Sequence, residues 1–293
     1  MFAIRKGDLK TFTPDAYSVC RIPEGSTNTY LQEPRVVEEF LKGIEPKYNE
    51  AVARVTEASF DAGCIYVLSG FIAYVLTCSP AGMRLQSAPL QSVVEETGRR
   101  LDAKGEIAPP PKELGGTSFT ELLEKGTLKV EVDPKYPQAI GIAQILSIAN
   151  SFGNFSWDIL VNHHGGSPYF SSDFPVAVEV TSDPRTLNRI IPLSPTIAVR
   201  IRPDLTMDRG TPDFSYGNFR RRVVKASRAE VMSINRQIVR CAEELVFYSD
   251  DRAWVIPFVC KNAAYRIQNR TQRIPHGNGT LLWSTLQVAD TRE

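Results

Sequence analysis

The sequence predicts an α+β fold, mostly helical in its first half, with a small antiparallel β-sheet in its second half. Three observations predict this fold class. Apolar residues recur at helical spacing from Pro34 to Phe152. After Asn154 they alternate with polar residues, which is the period of a strand. Strands do not alternate with helices and no Gly-rich phosphate loop is present, which argues against a dinucleotide-binding fold.

The composition is that of a globular protein. The 293 residues suffice for a large core, and 42% of them are hydrophobic and 23% charged. The formal net charge of +1 provides no long-range field that would attract nucleic acid or an anionic membrane. We expect an extended arm over residues 1–33, one α+β domain over 34–260 and a weakly patterned tail over 261–293.

The cysteines and the N-terminus predict a cytoplasmic protein. Five cysteines are widely spaced, and no pair has the spacing of a zinc or redox motif. We therefore expect reduced thiols, as in the cytosol. The first residues carry no apolar run behind Arg5 and Lys6, so no signal peptide is predicted. The uncharged stretch 62–83 contains glycines and Pro80, and its short apolar part favours a buried helix over a membrane span.

The helices are predicted from apolar stripes. An amphipathic helix begins after Pro34, and Pro46 should kink or restart it. The segment 64–77 is apolar on nearly all sides, which indicates a central buried helix. Further helices are expected over 85–101, from Thr120 to Leu123, and over 138–152. A capping box, Ser227 with Glu230, opens a last helix.

Four strands are predicted in the second half. The first covers 155–161, and the turn 163–168 should return the next strand antiparallel to it. Strands over 176–180 and 196–201 follow. A fourth strand is expected over 253–259, at an edge or bulge because it contains Pro257.

The most compact polar cluster is Ser171-Ser172-Asp173-Phe174-Pro175. Side chains of this kind often bind backbone N–H groups in a tight turn, and the sequence favours that interpretation. Alternatively, Asp173 is a general base or metal ligand at a strand end, acting with Ser172 and with His163 or His164. The two histidines are adjacent and point to different sides, so they are poorly placed to share one metal ion.

Further candidates for binding are Ser171, Glu45, Asn235 and Arg221. Asn235 falls on the buried stripe of the last helix, so its amide must find hydrogen-bond partners, and the strand turns are plausible ones. Glu45 ends the apolar stripe before Pro46. Arg221 lies in a basic run, residues 220–240. Nucleic-acid contact there is possible, but a solvated, salt-bridged face is favoured because stacking aromatic residues are not interleaved.

Two motifs resemble a known family. Tyr169-Phe170-Ser171-Ser172-Asp173-Phe174-Pro175-Val176 and Ile191-Pro192-Leu193-Ser194-Pro195 are similar to the signature of the bacterial domain-of-unknown-function family 4238, which reads Phe-(Ile/Val)-Thr-Ser-Asp-Asn-Pro-Val and then Pro-Leu-Ser-Pro. Asn235 matches an asparagine on the family's late helix, and the segment from Val37 to Pro46 is similar to its early helix. The family's N-terminal His-x-Val-Pro-x-x-Tyr-Leu signature is missing from this sequence. The resemblance implies no established activity.

The sequence therefore assigns no reaction, cofactor, metal or partner. It predicts a soluble intracellular protein. A binding or interaction role fits the sequence as well as a catalytic role does, so whether the protein is an enzyme stays open. The alternative is a metal-dependent hydrolase, similar to a phosphodiesterase or nuclease, that uses the turn at Asp173.

Overall fold

A computed structural model of the protein describes residues 1–19, 22, 25–108, 110, 111, 113, 115–207, 211–277 and 279–292. It confirms the α+β fold, with helices concentrated before residue 155 and most strands after it. The helices are α1 Ala16–Val19, α2 Val36–Ile44, α3 Tyr48–Thr56, α4 Ala62–Cys78, α5 Pro80–Ala103, α6 Phe119–Glu124, α7 Lys135–Ala143, α8 Ile145–Asn154, α9 Arg228–Cys241 and α10 Val255–Asn262. The strands are β1 Phe2–Arg5, β2 Thr11–Phe12, β3 Ser156–Val161, β4 Ser171–Ser172, β5 Ala177–Val180, β6 Leu187–Pro192, β7 Ile197–Arg202, β8 Arg220–Lys225, β9 Leu245–Tyr248, β10 Tyr265–His276 and β11 Gly279–Asp290.

The predicted break at Pro46 is confirmed. Helix α2 ends at Ile44, a 3-10 turn covers Glu45–Lys47, and α3 begins at Tyr48. Proline cannot donate a backbone hydrogen bond inside a helix, but it fits the first turn of a new one.

Helix α4 is the predicted central helix. Its apolar residues face neighbours on several sides, because it packs against α3, α5, α7 and α8. The Asp61 carboxylate accepts the Cys64 N–H at its start, and Ser79 ends it and caps α5. In the part of the chain that the structure describes, no one helix is both long and apolar enough to span a bilayer; α4 and α5 together meet those criteria, but only as a pair bent by 57°.

The main sheet has five strands in the order β5-β6-β7-β3-β8. All neighbours are antiparallel except β3 and β8, which are parallel. Its buried residues, among them Trp157 and Ile191, join α4 and α9 in one hydrophobic core. A second sheet has the order β2-β1-β9-β4, so β1, near the N-terminus, is an internal strand of that sheet.

Two local predictions for the strands are wrong. The strand after the turn 163–168 does not return beside β3, because β4 crosses to the second sheet and pairs with β9. Residues 253–259 form a turn and the start of α10 instead of a strand. Pro257 is the third residue of that helix, where the N–H it lacks would have no intrahelical acceptor, and the buried Val255 and Val259 lie one turn apart.

The tail contains an element that the sequence did not predict. Strands β10 and β11 form a hairpin with twelve paired positions that lies along α5. The side chain of Asn269 donates to the Leu85 carbonyl at 2.5 Å, and Arg273 pairs with Glu96 at 2.8 Å. The arrangement fixes the hairpin to the helical layer. The domain boundaries predicted from the sequence stay a prediction.

Candidate functional site

The carboxylate of Asp173 binds a distant turn. Oδ1 accepts the N–H of Glu243 at 2.9 Å, and Oδ2 accepts those of Glu244 at 2.7 Å and Leu245 at 3.0 Å. The Ser172 hydroxyl accepts the N–H of Phe174 at 3.2 Å. Asp173 thus binds backbone N–H groups, as the favoured interpretation expects, but the donors lie between α9 and β9 rather than in its own turn. Three of its roughly four acceptor positions are occupied.

Lys6 binds the same turn from its other side. Its Nζ donates to the carbonyl of Ala242 at 2.7 Å and to that of Tyr265 at 2.8 Å, and the residue is only 8% exposed. Burial lowers the pKa of Lys6 to about 8, although the charge of Asp173 acts in the opposite direction. Burial also raises the pKa of Asp173, against the lowering effect of the N–H groups of Glu244 and Leu245. The end of α9 is therefore held by a buried lysine and a half-buried aspartate, which carry opposite charges.

Glu243, in this turn, is neutralised by two arginines. Arg84 of α5 donates to its carboxylate at 3.0 and 2.6 Å, and Arg266 of β10 donates at 3.1 Å. These bonds join α5, the end of α9 and the hairpin. Glu243 and Arg266 border a cleft of about 720 Å³ that Lys6 also lines. These two charges of the cleft are paired with each other, which is typical of a structural network.

The histidines lie at the other end of α9. His164 places Nε2 3.2 Å from the carbonyl of Ala226, which precedes the helix, while His163 is exposed. Asp173 contacts the turn that follows the helix. A helix of 14 residues is roughly 20 Å long. The structure therefore does not bring His164 to Asp173, and a catalytic role for Asp173, Ser172 and His163 stays a prediction.

The amide of Asn235 is buried and hydrogen-bonded, as its place on the apolar stripe of the last helix requires, and its role in binding stays a prediction. The residue is fully buried; its Oδ1 accepts the Phe170 N–H at 2.9 Å and its Nδ2 donates to the Pro168 carbonyl at 2.8 Å. A buried amide with both ends occupied cross-links α9 to the segment before β4. Glu45 is exposed in the 3-10 turn, far along the chain from these contacts.

The basic run is ion-paired at Arg222. Arg222 binds the buried Asp158 at 2.6 and 2.9 Å, and Arg202, outside the run, reaches the same carboxylate at 3.1 Å. The guanidinium of Arg221 lies 4.3 Å from the centre of the Phe60 ring. The ion pair at Arg222 fits the predicted salt-bridged face. Among the described residues, no group of three or more His, Cys, Asp or Glu side chains has an arrangement that could hold a metal ion.

The two motifs line a cleft of about 320 Å³, here called the motif cleft. Its walls combine segments that are far apart in the sequence: Met1, Tyr48, Phe71, Tyr169, Phe170, Ser171, Pro175, Pro192, Leu193, Ser194, Pro195, Phe247, Tyr248 and Ser249. The sequence identified Ser171 as a binding candidate. It carried no signal for Tyr48, Phe71 or the residues of β9, because only tertiary contacts bring them to the same place.

The aromatic residues behind the motif cleft are packed against one another. The Phe170 ring stacks on Trp254 with a centroid distance of 5.4 Å and an angle of 9°, and Phe258 meets it edge-on at 5.9 Å. Tyr48 and Phe71 are 4.6 Å apart. Burial raises the pKa of Tyr48 to about 12, so its hydroxyl is neutral at physiological pH and serves as a hydrogen-bonding group.

Comparisons with known proteins identify a family. No curated protein and no solved structure matches the chain. One family model, described as "Protein of unknown function (DUF4238)", matches residues 9–252. The matched range contains Asn235, Asp173 and all of the motif cleft except Met1. Because the match covers most of the 293 residues, the chain belongs to the DUF4238 family.

Proposed function

We propose that the protein binds a small, uncharged and largely apolar molecule in the motif cleft. The observation that carries this proposal is the composition of the wall. Aromatic rings, three prolines and Leu193 dominate it, and no lysine, arginine, histidine, aspartate or glutamate is among the described residues that line it. An apolar wall without ionised side chains favours a neutral ligand, since a charged one would lose its hydration without gaining a partner.

The size and polarity of the motif cleft fit a small-molecule site. Sites of this kind occupy roughly 300–1,000 Å³ and combine apolar walls with a few polar groups that orient the ligand. The motif cleft has a volume of about 320 Å³, near the lower end of that range. The hydroxyls of Ser171, Ser249 and Tyr48 are available in its wall, whereas that of Ser194 accepts the backbone N–H groups of Thr196 and Ile197. A ligand with one or two hydrogen-bonding groups matches this arrangement.

The wall is held in place before any ligand binds. Ser171 is paired with Phe247 across β4 and β9, and Asn235 fixes the backbone of Phe170. A preformed site loses little conformational entropy when the ligand binds, which favours affinity for a small molecule.

The test uses uncharged aromatic fragments, indole and p-cresol, in saturation-transfer NMR at millimolar concentration. Ser249→Trp places a large ring in the motif cleft, and Ser182→Trp makes the same change at an exposed position of the loop between β5 and β6. We expect the fragment signals to disappear with Ser249→Trp and to persist with Ser182→Trp. Equal signals from both variants, or no signal from the folded wild type, would contradict the proposal.

We also propose a cytoplasmic location. The four cysteines in the described part of the chain are free thiols, and three of them are buried. Reduced thiols are typical of cytosolic proteins. Fractionation of cells that produce the protein naturally should recover it with cytosolic markers; recovery with extracytoplasmic markers would contradict this location.

A further inference from the structure

A second cavity, of about 500 Å³, lies between the helices and the C-terminal hairpin and is here called the arginine cavity. Its lining is mostly apolar: Leu76, Gly82, Leu85, Gln86, Pro89, Leu90, Pro137, Ile140, Gln144, Arg189, Asn269 and Leu286. Ile140 and Gln144 are exposed and form part of its rim. The one ionisable side chain among these residues is Arg189, on β6.

Arg189 has no anionic partner among the described residues. Its Nη1 is shielded from solvent and makes no hydrogen bond. Burial lowers its pKa to about 10, and the one ionisable group among the described residues that acts in the other direction is Cys241. The thiol of Cys241 has a pKa raised by burial to about 11, so it is neutral at pH 7. The guanidinium therefore carries an uncompensated positive charge in a largely apolar cavity.

Two other half-buried arginines show how this chain compensates such a charge. Arg200 binds Glu179 at 2.9 Å and Glu230 at 3.0 Å. Arg84 forms a two-pronged pair with Glu243. A guanidinium does not lose its proton at physiological pH, so an unpaired one in an apolar site is costly unless an anion joins it. Arg189 differs from both of these arginines. They contact a carboxylate, whereas Arg189 borders a cavity.

Two other polar side chains of the arginine cavity, Asn269 and Gln86, donate to backbone carbonyls, while Gln144 lies at the exposed rim. Pro89 lacks an N–H and leaves the carbonyl of Leu85 without its helical donor, and Asn269 supplies one at 2.5 Å. The side-chain amide of Gln86 donates to the carbonyl of Leu76 at 3.1 Å. These bonds shape the cavity and leave the guanidinium as its principal free donor.

We propose that the arginine cavity binds a molecule with one carboxylate on an apolar body. The carboxylate would accept two parallel hydrogen bonds from Arg189, the geometry that guanidinium and carboxylate groups share. The apolar body would pack on side chains such as Leu76, Leu90 and Leu286. An aliphatic acid and an aromatic acid share this chemistry, and the experiment separates them. The proposal concerns a site separate from the motif cleft.

Calorimetry with octanoate and 3-phenylpropanoate, and with 1-octanol as the uncharged counterpart, tests the proposal at pH 7. We expect at least one acid to bind, octanol to bind more weakly, and Arg189→Met to reduce acid affinity roughly tenfold to a hundredfold, the effect of losing charged hydrogen bonds. The relative affinity of the two acids identifies the preferred body. Arg185→Met, at an exposed arginine paired with Asp183, is the matched control and should bind the acids like the wild type.

Folding is checked independently, because removing an unpaired buried charge should leave the melting temperature equal or higher. Arg189→Gln, which keeps a donor but no charge, is the second variant and should also weaken acid binding. The proposal is overturned if neither acid binds, if octanol binds as tightly as octanoate, or if both Arg189 variants bind the acids like the wild type. Ser249→Trp should leave acid binding intact, and the Arg189 variants should still bind indole. The proposals for the two sites can therefore be refuted independently of each other.

Discussion

Asn235→Leu tests whether the buried amide holds the wall of the motif cleft. The substitution keeps a similar volume and removes both hydrogen bonds, to the Phe170 N–H at 2.9 Å and to the Pro168 carbonyl at 2.8 Å. Two backbone groups would then be buried without partners. Each such group costs about 1–3 kcal/mol, and the added apolar burial of leucine recovers roughly 1 kcal/mol. We therefore expect the free energy of unfolding to fall by about 1–5 kcal/mol.

The assay is equilibrium unfolding in guanidinium chloride, followed by tryptophan fluorescence. Arg236→Leu, one residue further along α9 at an exposed position, is the control, and its change should stay within about 0.5 kcal/mol. Indole binding by Asn235→Leu should also weaken, since the backbone of Phe170 loses its fixed position. A loss of stability below about 1 kcal/mol, outside the range expected for buried unpaired groups, would refute the reasoning.

Three further predictions concern pH, packing and the salt-bridged strand. The pKa of Lys6 is about 8 in the folded state and 10.5 for the free side chain, so the unfolded state binds more protons between these two pH values. The free energy of unfolding should therefore rise with pH across this window, by at most about 3 kcal/mol. Urea titrations at each pH should show this rise for the wild type and not for Lys6→Met. Gly153→Ala should cost about 1–3 kcal/mol in thermal unfolding, because its Cβ would overlap the buried Tyr216 ring, whereas Gly43→Ala meets open space and should not destabilise. Asp158→Asn should lower the free energy of unfolding by only about 1–2 kcal/mol, since the exposed guanidinium of Arg222 regains water; a loss above about 3 kcal/mol would contradict this reasoning.

Local signals in the sequence predicted the elements that depend on short-range physics. The break at Pro46, the central helix α4 and the N-cap at Ser227, whose hydroxyl accepts the Glu230 N–H at 3.2 Å, all follow from interactions within four residues along the chain. The Glu230 carboxylate binds Arg200, so the predicted capping box forms only in its serine half. Where two local patterns competed, the sequence was less informative. Pro257 fits an edge strand and the first turn of a helix equally well, and the structure has the helix.

Elements that are exposed on both faces were missed for a different reason. The hairpin of β10 and β11 and the edge strand β8 have weak alternation, because few of their residues face the core. Alternation in a strand arises from the burial of one face, so a strand without a buried face has no such pattern. The sequence also did not show which strands pair with one another. On one side, β3 pairs with β8, which lies some 60 residues later in the chain.

The sequence by itself determined the fold class, the principal helices, the family resemblance and the buried amide at Asn235, because composition, periodicity and the need to satisfy buried polar groups are readable residue by residue. Only the tertiary structure decided what those residues meet. It paired Asp173 with N–H groups 70 residues away, assembled the motif cleft from separate segments, and left Arg189 without a carboxylate partner among the described residues, unlike Arg200. The presence or absence of a partner for a buried charge depends on long-range packing, which no local pattern encodes.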